Sequence, residues 1–304
     1  MNNQVNYSII IPHKNNLELL RRCLLSIPAR SDVQRIVVDD CSAQSTVKEL
    51  LKLEDKSTKI ILTTENKGAG YARNIGLKNA VGEWIVFADS DDTFETEQLS
   101  IAMSECLCDE KTDVIYFDVN CYDSTTGKFS DDLNEQYKRY LFDRNDCENL
   151  CRYKIRAPWG KFIRKTLIDK YDIRFSEVPV SNDLIFSLKI GYYASCVMVY
   201  KQLCVYNYFV WKSSLTAHSK LNYSLLKVHI QTAYERNEFI ESHHIPIKYR
   251  TNYFYILPAV YRTNKIEAIK TFMEMAKKTP IRYLFQDIFK VTIDFFRHTN
   301  KKSK

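Results

Sequence analysis

Short apolar runs alternate with segments of helical periodicity from the N-terminus to residue 120. The apolar runs predict strands, at Tyr7–Ile11, Arg35–Asp40, Lys59–Thr64, Glu83–Asp89 and Asp113–Val119. The segments between them predict helices, at Asn16–Ile27, Val47–Leu53, Gly70–Ala80 and Glu95–Cys108. Strands that are apolar on both faces and alternate with helices predict an α/β fold, with a mostly parallel sheet covered by helices on both sides.

The pattern changes after residue 120. The sequence "YDSTTGKF" predicts a hairpin, and two further strand-like runs lie near Cys196–Tyr200 and Leu203–Phe209. From about Leu221 onward the chain has helical character, and no internal repeat or low-complexity segment interrupts it. We therefore divide the chain into residues 1–120, 121–215 and a helical C-terminal region, 216–304.

The candidate chemistry lies at the ends of the predicted strands. A parallel sheet binds its ligands at the carboxyl ends of its strands. Four such ends are rich in polar, acidic or glycine residues: Pro12–Asn15, Asp39–Ser42, Asn66–Gly70 and Asp89–Asp92. This agreement of place and composition predicts a ligand-binding crevice.

Acidic residues crowd two of these strand ends. Asp89, Asp91 and Asp92 repel one another unless a cation joins them, and carboxylate oxygens suit Mg²⁺ or Mn²⁺. The alternative is a structural role, in which Asp92 or Thr93 caps the helix that begins near Glu95. Asp39 and Asp40 either bind a ribose or base edge or cap the next helix, which Ser42 could equally do.

The glycine-rich segment "NKGAGYARN" lies between these acids. Gly68 and Gly70 permit a tight turn, and the helix start that follows offers N–H groups to an anion. Arg73, one turn into that helix, either reaches a diphosphate in the crevice or merely pairs with a surface acid.

The four strand ends together resemble the family 2 glycosyltransferases of GT-A fold. The resemblance covers Tyr7–Asp92, about the first third of the chain, and rests on "YSIIIPHKNN", "RIVVDDCSAQST", "NKGAGYARNIGL" and "GEWIVFADSDD". Lys14 replaces the aromatic residue that usually follows the proline. The resemblance implies a nucleotide-sugar-binding core in residues 1–120 and an acceptor-side part in residues 121–215.

The resemblance also implies roles for individual residues. The donor site would comprise Pro12, Lys14, Asn15, Asp39, Asp40, Gly68, Arg73, Asp89 and Lys161. The metal site for Mn²⁺ or Mg²⁺ would comprise Asp89, Asp91 and, as a late ligand, His218. A lone histidine more often has a structural role or is solvated, which is the alternative for His218.

The acceptor side carries the expected general base. Similar enzymes place an Asp or Glu there at a helix start, and Asp183 in "VSNDLIF" matches that position. The alternative is that Ser181 or Asn182 caps the helix and Asp183 is an acid of its first turn. Trp159 either forms a wall of the acceptor pocket or packs in the core, and Lys161 either approaches the diphosphate or has an ordinary packing role.

The resemblance implies an inverting, metal-dependent hexosyltransferase of polysaccharide assembly. It would move a sugar from a UDP-sugar to a glycan or a lipid-linked acceptor. Two rival interpretations stay open: a catalytically silent module that binds sugar nucleotides or glycans, and a nucleotidyltransferase. The second is disfavoured because "PHKNN" lacks the glycine-rich loop expected after its first strand.

Composition narrows the partners and the location. The nine cysteines include no C-x-x-C pair, which predicts reduced thiols and no zinc site. The N-terminus does not resemble a signal peptide, and no apolar run reaches the about 20 residues that span a bilayer, so we expect a cytoplasmic protein.

Of the net charge of +7, the segment 277–304 contributes +6, with eight Lys or Arg and two Asp. The rest is nearly neutral, which argues against nucleic acid as a partner.

The basic C-terminal segment has an amphipathic pattern. At about 100° per residue, the residues on one helical face are Ile281, Leu284, Phe285, Ile288, Phe295 and Phe296. Arg282, Lys290 and Arg297 lie beside this face. The pattern predicts either peripheral contact of residues 281–304 with an anionic membrane or a terminal helix packed on its own domain.

Overall fold

The chain divides into two compact units, Met1–Lys212 and Ser213–Lys304. The computed structural model describes residues 4–106, 111–211 and 223–301. Each unit has its own arrangement and is described by itself.

The N-terminal unit is built on one eight-stranded sheet. Its strands, in chain order, are β1 (Tyr7–His13), β2 (Val33–Asp39), β3 (Thr58–Leu62), β4 (Trp84–Phe87), β5 (Thr93–Phe94), β6 (Val114–Asp123), β7 (Lys161–Arg164) and β8 (Val197–Val210). The spatial order is β3-β2-β1-β4-β7-β6-β8-β5. Only β7 and β5 run against the other strands, so the predicted mostly parallel sheet is confirmed.

Eight helices accompany the sheet in the described part of this unit. They are α1 (Leu17–Leu25), α2 (Gln44–Leu50), α3 (Ala69–Asn79), α4 (Thr96–Cys106), α5 (Asp131–Leu141), α6 (Cys147–Lys154), α7 (Lys165–Lys170) and α8 (Leu184–Tyr193). A single 3-10 turn, Leu51–Leu53, follows α2. The strands of the first half alternate with helices as the hydrophobic pattern predicts.

The structure departs from the predicted strands in the second half of the sheet. The runs predicted as two strands after Cys196 form one long strand, β8, which pairs in parallel with β6 through a register shift near Asp118. The short antiparallel strand β7 lies between β4 and β6 and was not predicted, since four residues are too few for a periodic signal. The predicted hairpin is present as a single antiparallel bridge between Tyr122 and Phe129.

Strand β1 continues through Pro12, although the sequence predicts that it stops there. Proline lacks the N–H that a strand with neighbours on both sides donates. Strand β4 pairs with β1 only as far as Ile10, opposite Phe87, so Pro12 has a paired neighbour on one side alone, Val38. The strand therefore reaches His13, next to Asp39.

The core of the N-terminal unit is one cluster along both faces of the sheet. The central strands supply fully buried side chains such as Ile9, Val37 and Phe87. This continuous burial fixes the register of β1, β2 and β4 and places their carboxyl ends along one edge. The functional residues described below lie at that edge.

The C-terminal unit is helical. Its helices are α9 (Tyr223–Ser242), α10 (Leu257–Thr263), α11 (Lys265–Lys278) and α12 (Ile281–Lys301), with 3-10 turns at Ile247–Tyr249 and Tyr253–Ile256. Within the described residues, no helix is both long enough and apolar enough to cross a membrane.

Candidate active site

Asp39, at the end of β2, is engaged by neighbouring residues. The Ser42 backbone N–H donates to one carboxylate oxygen at 2.9 Å, and the Ser42 hydroxyl donates to the other. The buried His13 ring, at the end of β1, places Nδ1 2.9 Å from the same carboxylate. Burial alone would raise the pKa of Asp39, but these hydrogen bonds outweigh it and hold that pKa below its usual value.

The loop after β1 is joined to the loop after β2. Asn15 adopts a left-handed conformation, with φ 60°. Its backbone N–H donates to the Ser42 hydroxyl at 2.7 Å, and its side-chain oxygen accepts from the Ala43 N–H at 2.8 Å. Lys14, which precedes Asn15 in the first loop, is exposed, and Pro12, in β1, is half-buried. These contacts make the two loops one wall of the crevice.

Asp40 holds the glycine-rich turn. One oxygen of its buried carboxylate accepts from the Lys67 N–H and the other from the Gly68 N–H, each at 2.9 Å. Gly68 has φ 87°, a conformation that favours glycine. Asp40 therefore fixes the turn before α3, and the N–H groups of the helix start, which the sequence offers to an anion, follow directly after it.

Gly70 is required by close packing of the chain on itself. A Cβ atom there would lie 2.2 Å from the Ser176 carbonyl oxygen and 3.0 Å from the Asn182 Cβ. The segment that carries Asn182 therefore lies directly against the start of α3. This contact brings the predicted acceptor side next to the predicted donor side.

Arg73 links the two sides by hydrogen bonds. Its buried guanidinium donates from Nη1 to the Asn182 side-chain oxygen at 2.9 Å and from Nη2 to the Asp89 carboxylate. The guanidinium also lies over the Phe175 ring, 5.3 Å from its centroid. Arg73 pairs with an acid at the crevice, after β4, and not with a surface acid, and its contact with a diphosphate stays a prediction.

Asp92 attaches the acidic turn to β8. Its buried carboxylate accepts from the Phe209 N–H at 2.8 Å and from the Tyr206 hydroxyl at 2.7 Å, and the same hydroxyl accepts from the Asp89 N–H at 2.9 Å. Burial, together with the charges of Asp89 and Asp91, raises the pKa of Asp92 well above its usual value. Asp92 thus anchors the turn to β8, and the alternative that it caps the following helix is wrong.

Asp91 is the acid of this turn that has no ion pair among the described residues, although the charges of Arg22 and Arg73 act on it. Arg22, on α1, donates to the Asp91 backbone carbonyl and lies 4.3 Å from the Phe209 ring centroid, which fixes the backbone of the turn. No ion pair to the Asp91 carboxylate is recorded in the part of the chain that the structure describes. Burial and the neighbouring Asp89 charge raise the pKa of Asp91 to about 6.

The predicted metal ligands are only partly brought together. Within residues 4–106, 111–211 and 223–301, no group of three or more His, Cys, Asp or Glu side chains is placed to hold a metal ion. Asp89 is paired with Arg73, which leaves Asp91 as the hard oxygen donor that is not in an ion pair. His218 lies outside the described residues.

Asp183 lies at the N-cap position of α8, but its side chain caps no backbone N–H of that helix. It is half-buried and directly follows Asn182, the residue bonded to Arg73. Burial raises the pKa of Asp183, although the charge of Arg73 opposes the rise. Asp183 itself thus occupies the cap position without capping, and the alternative that Ser181 or Asn182 caps the helix is not decided by this contact. A raised pKa suits a group that accepts a proton.

Lys161, on β7, is buried close to this region. Its ammonium lies 5.1 Å from the Tyr116 ring centroid and has no hydrogen-bond partner among the described residues. Burial lowers the pKa of Lys161 to about 7, against the opposing effect of the Asp183 charge. Trp159, two residues earlier, stacks between Tyr206 and Tyr208 at centroid distances of 5.2 and 5.1 Å, which favours its packing role.

Three residues that shape the acidic turn were not singled out in the sequence. Arg22 lies in a helical run where it looked like an ordinary surface base, and Tyr206 and Phe209 lie in a strand-like run of apolar and aromatic residues. Their contacts with the turn span 69 to 117 positions of the chain. No local pattern marks contacts of that kind.

The chain matches known glycosyltransferases. The model of the family described as "Glycosyl transferase family 2" matches residues 8–172. The chain is 26% identical to the putative glycosyltransferase EpsH of Bacillus subtilis over 226 residues, 68% of this chain and 62% of EpsH. It is 24% identical to glycosyltransferase GlyA of Streptococcus pneumoniae over 220 residues, 69% of this chain and 31% of GlyA. The matches thus cover less than two thirds of either relative.

Solved structures share the fold. The crystal structure of S. aureus TarS 1-349 in complex with UDP-GlcNAc has a TM-score of 0.63 at 20% identity, over 91% of this chain and 82% of that one. The mannosyltransferase PcManGT from Pyrobaculum calidifontis, in complex with GDP-Man and Mn²⁺, has a TM-score of 0.60 at 15% identity, over 96% of this chain and 81% of that one. The predicted GT-A fold is confirmed.

Proposed function

The chain belongs to glycosyl transferase family 2, and we propose that it moves a sugar from a UDP-sugar to a hydroxyl group of a glycan or lipid-linked acceptor, with inversion at the anomeric carbon. Two of its structural neighbours are complexes with UDP-GlcNAc and with GDP-Man and Mn²⁺, which supports a nucleotide-sugar donor. We assign donor binding to residues 1–120 and the acceptor side to residues 121–215.

The observation that carries this proposal is the double contact of Arg73. One guanidinium donates to Asp89, at the end of a donor-side strand, and to Asn182, which precedes the candidate base. The sequence separates these two partners of Arg73 by more than 90 positions, yet one side chain joins them. A transferase needs such a junction, because the leaving group and the attacking hydroxyl must meet at the same carbon atom.

The donor would lie along the strand ends. The end of β1 with Pro12 and the loop with Lys14 and Asn15 form one wall, held by Asp39 and Ser42, and the turn held by Asp40 forms the next. In this arrangement the carboxylates of Asp39 and Asp40 have two roles: they hold the loops that form the nucleoside site, and they contact the nucleoside. Lys14 is exposed at the wall and Lys161 is buried near Asp183, so we assign both to the anionic part of the donor.

Asp91 would hold the divalent ion, with Asp89 beside it. The fit rests on the Asp91 carboxylate, an oxygen donor that is half-buried and in no recorded ion pair among the described residues. When bound there, Mn²⁺ or Mg²⁺ offsets the negative charge that grows on the departing diphosphate. His218 stays a candidate for a further ligand.

Asp183 would accept the proton of the acceptor hydroxyl. Its carboxylate makes no capping bond, so its oxygens are available to a substrate hydroxyl. Burial raises its pKa above the ordinary value, which makes it a stronger base than an exposed aspartate, and the charge of Arg73 opposes that rise. The deprotonated hydroxyl then attacks the anomeric carbon from the face opposite the diphosphate, and the C–O bond to the diphosphate breaks.

Slow hydrolysis of the donor tests the proposal without knowledge of the acceptor. The full chain is incubated with a panel of UDP-sugars and Mn²⁺, and free UDP is measured. We expect UDP release from at least one sugar and its loss on addition of EDTA. Saturable binding of a UDP-sugar with no release, both alone and with glycan acceptors, would instead support a silent binding module.

A further inference from the structure

The helix α12 exposes a row of large apolar side chains. Its members, with the exposed fraction of each residue, are Ile281 (74%), Phe285 (72%) and Phe289 (67%). They recur every four residues and therefore lie along one side of the helix. We call these three residues the α12 row.

A different face holds the helix in the C-terminal unit. Leu284, Ile288 and Val291 pack against a buried cluster that includes Phe254 and Met275. The sequence grouped Phe285 with Leu284 and Ile288 on one apolar face, but the structure separates them. The α12 row is thus not needed to hold the helix in place, and three large apolar side chains exposed side by side mark a contact surface.

The exposed charges beside the α12 row are basic among the described side chains, although Arg282 also lies 3.6 Å from the Glu241 carboxylate. Arg282 and Lys290 are exposed on the same helix. Asp287, the acid between them, is buried and pairs with Arg250 at 3.2 Å, so it does not cancel their charge at the surface. The segment 277–304, which contains the helix, has eight Lys or Arg and two Asp.

This combination selects one kind of partner. An exposed apolar row beside basic residues is the pattern of a helix that lies in the interface of an anionic membrane. Each Lys or Arg near such a surface contributes about 1 kcal/mol of attraction. A second copy of the chain would instead bring Arg282 and Lys290 close to the same charges, which is unfavourable.

We propose that the α12 row and the neighbouring Arg282 and Lys290 dock the protein on an anionic lipid bilayer. The apolar side chains enter the boundary between head groups and acyl chains, and the basic side chains contact the lipid phosphates. The helix lies along the membrane surface and does not cross it. This docking is separate from the proposed sugar transfer, so its test requires no donor and no acceptor.

Vesicle co-sedimentation of the full chain tests the proposal. The vesicles are phosphatidylcholine with or without phosphatidylglycerol, at low and high salt. We expect binding only to the vesicles that contain phosphatidylglycerol, and weaker binding at high salt because salt screens the charges. The double variant Phe285→Ser/Phe289→Ser should bind at least about tenfold more weakly, since it loses two large buried side chains at the interface.

Matched variants separate docking from folding. Leu25→Ser removes an equally exposed side chain from α1 and should bind like the unmodified chain. Both variants should keep the thermal midpoint, whereas Leu284→Ser should lower it because Leu284 packs in the unit. Equal binding to vesicles without phosphatidylglycerol, or an equal loss in Leu25→Ser, would overturn the proposal. So would light scattering that finds a dimer which the double variant converts to monomers.

Discussion

The acids at the end of β2 and those at the end of β4 occupy equivalent places in the sheet, but their carboxylates have different hydrogen-bond and ion-pair partners. Asp39 and Asp40 are engaged by His13, Ser42 and backbone N–H groups of the neighbouring loops. In the second group, Asp89 accepts a hydrogen bond from the Arg73 guanidinium, and Asp92 accepts one from the Phe209 N–H of β8. The Asp91 carboxylate is in no ion pair among the described residues. We therefore expect Asp91, the acid in no ion pair among the described residues, to be the one that binds a ligand.

The sharpest test of this difference replaces Asp91. Asp91→Asn should lower sugar transfer and donor hydrolysis by at least about 10³-fold, because it removes the charge that holds the divalent ion. UDP release measured with Mn²⁺ checks the loss. The control is Asp169→Asn, which changes an exposed carboxylate on α7 and should leave the rate unchanged. Full activity of the Asp91 variant would remove Asp91 from the site.

The acid on the acceptor side should behave differently from Asp91. Asp183→Asn should lower transfer by about 10²–10⁴-fold, the usual contribution of a positioned base. Its affinity for UDP in the presence of Mn²⁺ should stay close to that of the unmodified chain, since Asp183 follows Asn182, on the proposed acceptor side. Calorimetric titration with UDP measures this affinity. If UDP binding fell together with the rate, Asp183 would belong to the nucleotide site.

Asp40, whose carboxylate is hydrogen-bonded within the protein, should contribute mainly to the stability of the fold. Asp40→Ala leaves the Lys67 and Gly68 N–H groups without their acceptor and should lower the free energy of unfolding by about 2–4 kcal/mol. Asp40→Asn keeps one acceptor oxygen and should lose less. Urea denaturation of the two variants gives both values. Unchanged stability of Asp40→Ala would show that the two hydrogen bonds do not hold the turn.

The buried Lys161 gives a pH-dependent effect of smaller size. Its pKa of about 7 in the folded chain lies below that of an unfolded lysine, about 10.4, so the unfolded state binds more protons between these two values. Stability should therefore rise with pH through this window, by up to about 1.4 kcal/mol per pH unit from this group. Lys161→Met removes the contribution and should stabilise the chain at pH 7 and below, with an advantage that disappears above about pH 10. Thermal melts of the two proteins across this pH range measure the difference. The same stability gain of Lys161→Met at every pH would contradict the lowered pKa of Lys161.

Much of the fold and the place of the site can be read from the sequence, because both follow from local patterns. The alternation of buried strands and helices predicts a parallel sheet, and its carboxyl edge is where Asp39, Asp40, Asp89 and Asp91 are found. The use of each carboxylate cannot be read in this way. Asp92 bonds to Phe209, 117 positions away, and Arg73 to Asn182, 109 positions away. Gly70, interpreted as part of a tight turn, instead lies in α3 and allows the chain to approach the Ser176 carbonyl group.

Binding of UDP to the full chain, titrated with and without Mn²⁺, tests the central claim most directly. If Asp91 is the acid that the protein leaves for a metal ion, Mn²⁺ should strengthen UDP binding to the unmodified chain and have no such effect on Asp91→Asn, with the affinity in the absence of Mn²⁺ similar in the two proteins. The same strengthening by Mn²⁺ in folded Asp91→Asn would contradict the account.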